Sequence, residues 1–201
     1  MWWAELDALA GEVSSNEAGV DPSAWIDPGA VLDSLHGPIV IGPRSRICAG
    51  ARIEGPAEIG ADVLVGNLAL LRGPLRIGNG SRIGFATELK NAQLGERVSI
   101  GPQCFVADSR IDTGAYLGAQ VRTSNHRLDG RTISVDYEGE RRDTGRDKLG
   151  CWIGSDCALG IQVIVLPGRI VAAGSQIGPR ITIEKNLPTG RYRLTQRIET
   201  Y

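Results

Sequence analysis

From Ile41 onward an aliphatic side chain returns at every sixth residue: Ile41, Ile47, Ile53, Ile59, Val65, Leu71, Ile77, Ile83 and Leu89. Four residues after each stands a residue that is mostly small: Ser45, Ala51, Ala57, Val63, Ala69, Leu75, Ser81, Thr87 and Gln93. The phase slips by one near Leu94, runs through Ile100 and Val106, and slips again to Ile111 and Leu117. After an interruption it resumes as Ile153, Leu159, Val165, Val171, Ile177 and Ile183. A helix would require a period near 3.6 and a simple sheet would show alternation only. A large aliphatic followed four later by a small inward residue fits one short strand and one corner, because residues two and four apart share a face of a strand. Three such hexads close a triangular coil of 18 residues, and successive coils stack at the strand spacing of roughly 4.8 Å. The pattern predicts an all-β parallel β-helix, with the slips at its corners. It leaves the hand open, and the usual crossover rule argues for a right-handed one.

Three segments lie outside the repeat. Trp2, Trp3, Leu6 and Leu9 are spaced for one face of a short helix within residues 1–20. We expect this helix to cap the first coil, since an open end exposes strand edges and core; a partner-binding helix is the alternative. Residues 122–150 break the repeat and carry thirteen charged residues, seven basic and six acidic. Within them TISVDYEG has the pattern of a small hairpin, and a long insertion on a rigid scaffold commonly carries binding groups. The tail leaves the repeat at Glu184 and is expected to pack along a face or against a neighbour. The expected organisation is a helical cap over 1–20, a β-helix over 21–188 with 122–150 as an inserted loop, and a C-terminal tail over 189–201.

Composition narrows the function classes. The formal net charge is -1, so no global attraction to nucleic acid or an anionic membrane surface is implied. No run of about 18 apolar residues is present, and the opening MWWAELDALAG is too polar for a secretory leader; a cytoplasmic protein is expected. Glycine is abundant at 27 residues and aromatics are scarce at 5%, which suits tight corners and a narrow aliphatic core. The four cysteines, Cys48, Cys104, Cys151 and Cys157, form no CxxC pair, and no metal site is expected. Of the two histidines, His36 is expected at an exposed corner, while His126 opens the insertion.

Residues 18 apart lie above one another, so the position after each aliphatic sorts into three columns. Two are glycine-rich: Gly42, Gly60, Gly78 and Cys48, Gly66, Gly84. Glycine there suits corners that need positive φ. The third reads Glu54, Arg72, Lys90. Arginine stacked below lysine is mildly unfavourable alone; an anion such as phosphate would relieve it. The alternative is an ordinary solvated stripe in which Glu54 pairs with Arg72.

The chain resembles the hexapeptide-repeat acyltransferases over about residues 26–188, above all the C-terminal acetyltransferase domain of bifunctional sugar-1-phosphate nucleotidylyltransferases. The stretches that carry the likeness are LRGP (71–74), ELKNAQLG (88–95), FVADSRID (105–112), LGAQVRTSN (117–125), TGRDKLG (144–150), WIGSD (152–156), LPG (166–168) and VAAGSQIG (171–178). The resemblance implies a left-handed β-helix, a homotrimer with sites between subunits, acetyl-CoA as co-substrate, and nucleotidylyl transfer by a separate protein. It implies further that Arg72 and Lys90 hold the sugar phosphate and Asn125 the sugar. Ala119, Ser155 and Ala173 would line the acetyl-CoA channel; Arg131, Arg146 and Lys148 are added as phosphate-binding candidates from the insertion.

The family's catalytic stretch is altered. GPQCFVAD (101–108) places Pro102 where the family has its basic histidine and Phe105 where it has a tyrosine. Loss of a general base typically costs about 10² to 10⁴ in rate. His126, beside Asn125, is the candidate replacement, and histidine titrates in the range the work needs; Asp108 is a second, positioning candidate. Two readings therefore stand: an acyl-CoA-dependent acyltransferase, by N-acetyl transfer, acting on an amino-sugar phosphate or nucleotide amino-sugar, or a catalytically degenerate trimeric protein that binds sugar phosphates or nucleotide sugars.

Overall fold

The computed structural model describes residues 1–197, 199 and 200. The hexads form a β-solenoid of about ten turns with one N-terminal helix, the left-handed parallel β-helix of the expected class. Its first face stacks strands such as Ile39–Ile41, Ala57–Ile59 and Trp152–Ile153. The second face stacks Arg46–Ile47, Leu64–Val65, Arg82–Ile83, Ser99–Ile100 and Tyr116–Leu117 in one parallel ladder. The third carries Arg52–Glu54, Arg122–Thr123 and Ile164–Val165. Strands Leu70–Ile77, Glu88–Leu94 and Phe105–Ile111 turn the corner from third face to first without a break. Each corner is named below for the face it follows.

The aliphatics at the six-residue spacing point inward and are essentially inaccessible, from Ile41 through Leu71 to Val171 and Ile183. The one-residue slips have a structural origin. The corner between Leu71 and Ile77 carries Gly73 and Pro74, whereas its counterparts between Leu89 and Leu94 and between Val106 and Ile111 are one residue shorter. Those shortened corners are built on Asn91 (φ 44°) and Asp108 (φ 49°), residue types that tolerate the left-handed conformation.

The corner glycines act differently from the expectation. Gly42, Gly66 and Gly84 do not have positive φ; that conformation falls two residues later, at Arg44, Leu68 and Ala86. The glycines are needed because coils touch there. A Cβ on Gly84 would lie 2.5 Å from the carbonyl carbon of Gly101 in the next coil.

The N-terminal helix, Trp2–Ser14, lies along the flank of the solenoid and not over its end, so the expected cap is corrected to a strap. Its buried face, Trp2, Trp3, Leu6, Leu9 and Val13, packs on Ile133, Val135 and Leu149 of the insertion, with Tyr137, Trp152 and Ile170 around them. Glu5 pairs with Arg110, and Glu12 pairs with Arg76 at 2.8 Å. Arg76 and Arg110 are two rungs apart in the first face, through Gln93. Two rungs span about 9.6 Å, and seven helical residues rise about 10.5 Å. The helix thus runs along the stacking axis with its acidic residues matched to the rungs. A helix with a wide apolar face gains more by covering a second apolar surface, here the hairpin, than by covering the small triangular coil end.

The insertion is shorter than 122–150. Arg122–Thr123 is still a third-face strand, Leu149 N–H donates to Asn125 O at 2.9 Å, and Gly150 N–H donates to Asp108 O at 2.8 Å. Both ends are therefore pinned to the third corner. The expected hairpin forms as Ser134–Tyr137 against Glu140–Asp143. Where the insertion leaves, the core turns polar: Thr123 Oγ1 accepts from Ala107 N–H at 2.9 Å, and Ser109 Oγ from Cys151 N–H at 3.0 Å. These hydroxyls satisfy backbone groups that the broken ladder strands.

Both ends of the solenoid run past the regular pattern. A first coil of Gly19–Val20, Trp25–Ile26 and Val31–Asp33 precedes Ile41. Three extra residues before Ile41 hide it from the six-residue count. The tail contributes Arg191–Tyr192 as a last second-face strand, so the assigned boundary at 189 falls inside the stack. No helix among the described residues is long and apolar enough to cross a membrane.

Candidate functional site

The third corner gathers most of the expected site. Glu54, Arg72 and Lys90 stack in register on the third face. Arg72 does not stand free: Nη1 lies 3.0 Å from Glu88 Oε1, and Nε lies 3.7 Å from Glu54 Oε2. Among the described residues the Lys90 side chain has no ion pair or hydrogen bond. The column is thus a cation held between carboxylates beneath an uncommitted one.

One residue further along, the shortened corners make a polar ladder. Asn91 Nδ2 donates to Asp108 Oδ1 at 2.7 Å, and Asn125 Nδ2 donates to Asp108 Oδ2 at 2.5 Å. Asp108 is 5% exposed and both of its oxygens are engaged, so it orients amides and is not a free base. Because each amide spends its nitrogen on Asp108, its carbonyl oxygen is left as an acceptor. Asn91 was not singled out from the sequence; its signal was the one-residue slip at Leu94.

His126 follows Asn125 and is exposed. Its Nδ1 lies 3.1 Å from Asp147 O. A carbonyl only accepts, so Nδ1 carries the proton, and in the neutral ring Nε2 keeps its lone pair. Lys148 pairs with His126 through an isolated antiparallel bridge, which sets the two backbones side by side. A cleft of about 500 Å³ opens between the 124–129 segment and the turn at 166–169, lined by His126, Arg127, Leu128, Leu166, Pro167 and Arg169.

The remaining candidates are scattered. Arg146 is bound to Asp7 of the helix, an ion pair that ties the insertion to it. Arg131 is exposed, its backbone N–H donating to Asp129 Oδ1 at 3.2 Å. Ser155 and Ala173 stack at the first corner, with Gly174 N–H on Ser155 O at 2.8 Å. Ala119 sits at the second corner, under the backbone of Ile161. The three small residues are therefore not on one line of this chain. The insertion lengthens its coil to 42 residues, from Leu117 to Leu159, so a spacing of 36 lands one corner early. Pro102 shares the second corner with Ala119. His36 is exposed in the first coil, far from these groups.

Three of the four thiols, Cys104, Cys151 and Cys157, are buried and disfavoured as nucleophiles. Burial pushes Cys151 up to about 12, and burial also raises Cys104 and Cys157. Among the described residues no cluster of histidine, cysteine or carboxylate side chains could hold a metal ion.

A triangular β-solenoid with a polar corner and a long insertion defines the class; comparison with known proteins defines the family. No family model matches the chain. It is 54% identical over 168 residues to the uncharacterized acetyltransferase YaiX of Escherichia coli strain 536, covering 84% of this chain and 73% of that one. It is 30% identical over 158 residues to the bifunctional sugar-1-phosphate nucleotidylyltransferase/acetyltransferase of Sulfurisphaera tokodaii, covering 79% of this chain and 39% of that enzyme. Among solved structures, the UDP-N-acetylglucosamine acyltransferase of Bacteroides fragilis superposes with a TM-score of 0.43 at 15% identity, over 85% of this chain and 69% of that one. Perosamine N-acetyltransferase from Caulobacter crescentus, as a mutant in complex with CoA and GDP-perosamine, superposes with a TM-score of 0.30 at 17% identity, over 86% and 50%. The chain belongs to the hexapeptide-repeat acetyltransferase family.

Proposed function

We propose that this chain is an acyl-CoA-dependent N-acetyltransferase acting on an amino-sugar phosphate or a nucleotide amino-sugar. The observation that carries the reading is the third corner, where Lys90, the Asn91–Asp108–Asn125 ladder and His126 meet within a few rungs. Lys90, with Arg72, takes the phosphate; the amide carbonyls of Asn91 and Asn125 accept from sugar hydroxyls or the amine. Nitrogen–carbon bond formation at the thioester carbonyl expels the CoA thiolate. His126 Nε2 takes the proton released from the amine and returns it to the thiolate, so charge balances over the cycle.

The acyl donor is a second substrate, and Ala119, Ser155 and Ala173 are small enough to let its pantetheine arm lie against the stack. They occupy two corners, and the phosphate-binding groups a third. A rigid triangular prism cannot bring three of its own edges together, which supports a homotrimer with sites between subunits. The Sulfurisphaera relative combines both activities in one chain; here a separate nucleotidylyltransferase is the proposed partner.

The test incubates the full chain with acetyl-CoA and a panel of amino-sugar phosphates and nucleotide amino-sugars, and reads acetylated product by mass spectrometry. His126→Ala is expected to lower kcat by about 10² to 10⁴, and Asn125→Ala to raise KM. A saturating ligand stabilises the folded state by about 2.7 kcal/mol at a hundredfold excess over Kd. If sugar phosphates raise the melting temperature while acetyl-CoA never does, the transferase reading fails. That result would support a non-catalytic sugar-phosphate-binding protein, which Pro102 in place of the family's basic histidine favours.

A further inference from the structure

Arg169 is a largely buried charge without a close partner among the described residues. Its side chain is 13% exposed, yet its nearest carboxylate oxygen, Asp136 Oδ2, is 3.9 Å from Nη1. Its Nε is buried without a partner, and no described residue accepts a hydrogen bond from the guanidinium. Asp136 is not even its own: Oδ1 lies 3.5 Å from Arg141. A guanidinium taken out of water without acceptors carries a desolvation cost unless something compensates it. Burial pushes its pKa down; Asp136 opposes the fall, and Arg141 and Arg127 add to it.

The backbone that carries the side chain is held in place. Arg169 N–H donates to Leu166 O at 3.3 Å, and its carbonyl accepts from Trp152 N–H at 2.9 Å. Gly168 before it has φ +74°, and a Cβ there would come within 2.8 Å of Ser134 O. The hairpin therefore presses the turn into a single position. Arg169 faces the cleft of about 500 Å³ shared with His126 and Arg127. Arg127 is held by both oxygens of Asp129, at 2.9 and 2.5 Å, so the one carboxylate lining the cleft is spent. A preorganised arginine with open donors, in a partly apolar cleft with excess positive charge, fits the tetrahedral oxygens of a phosphate.

We propose that Arg169 anchors a second phosphate-binding position, in the cleft between the 126–129 segment and the 166–169 turn. It is distinct from the Arg72–Lys90 column. Leu166 stands three rungs beyond Lys90, through Ala107 and Ser124, which is about 14 Å along the stack. The two positions thus take separate phosphoryl groups. The inference rests on the proposed function for its substrates, a nucleotide sugar or an acyl-CoA, which both carry phosphate. It does not need acetyl transfer to occur.

The test is isothermal titration of the full chain with inorganic pyrophosphate, uridine diphosphate, CoA and 3′-dephospho-CoA. It compares the native protein with Arg169→Met and Arg169→Lys. Arg169→Met is expected to weaken at least one probe tenfold or more, with Arg169→Lys recovering part of it. The ligand-free melting temperature should hold or rise, because an uncompensated buried charge is removed; Arg169→Gln serves if the methionine variant does not fold. Loss confined to CoA identifies a coenzyme phosphate, and its persistence with 3′-dephospho-CoA identifies the pyrophosphate. Loss confined to uridine diphosphate identifies a nucleotide. The proposal is overturned if every probe, pyrophosphate included, binds the variants within twofold of the native protein, or if none binds the native protein. Tenfold weakening without any acetyl transfer would instead sink the transferase reading and leave this site standing.

Discussion

At the level of single residues, the hexad repeat is decided by contact distance. Gly84 suits its column because a Cβ there would meet Gly101 of the next coil at 2.5 Å. Gly84→Ala is therefore expected to destabilise the fold by about 1 to 3 kcal/mol, as overpacked sites do. A urea titration would show it as a lower midpoint with an unchanged slope; an unchanged midpoint would mean that the coils can part without cost. The candidate site divides along the same line. Arg72, Lys90 and Asn125 could be placed from spacing and resemblance, because backbone register sets which rungs they occupy. Their partners could not. That Glu88 reaches Arg72, that Asp108 holds two asparagines, and that Arg169 has no acceptor depend on side-chain directions across coils up to 42 residues apart in sequence.

Among the elements, the helix Trp2–Ser14 and the inserted hairpin are one unit. Their shared apolar cluster is separate from the solenoid core, and Asp7 holds Arg146. The next residue, Asp147, supplies the carbonyl that faces His126 Nδ1. The helix thereby reaches the candidate base through the base of the insertion. Removal of residues 1–15 should expose Ile133, Val135 and Leu149. Hydrogen exchange is then expected to accelerate over 132–149 while the second-face strands stay protected. Equal acceleration in both regions would show that the helix supports the whole solenoid; no change would show that the hairpin stands alone. The amphipathic spacing of Trp2, Trp3, Leu6 and Leu9 announced a helix that buries one face. It carried no information on which surface would receive it, because an apolar stripe is complementary to any apolar surface of suitable size.

For the whole molecule, a stack of small coils leaves its three edges apart: the groups proposed for phosphate and proton transfer share one edge, and those proposed for the acyl donor lie on the other two. Assembly of three copies is expected to join them. Light scattering during gel filtration should give about three times the chain mass of 21.4 kDa, and a monomer that still acetylates substrate would show that one edge suffices. What the amino-acid sequence determined by itself was the periodic part: six-residue spacing dictates inward aliphatics, triangular coils and the in-register Glu54–Arg72–Lys90 column, since these follow from local geometry repeated. What only the tertiary structure decided was everything aperiodic: the strap position of the helix, the first-corner placement of Ser155 and Ala173 away from Ala119, and the cleft at Arg169. An insertion has no fixed rise per residue, so its length shifts the register and its packing is chosen by whatever apolar and charged surface the finished solenoid presents.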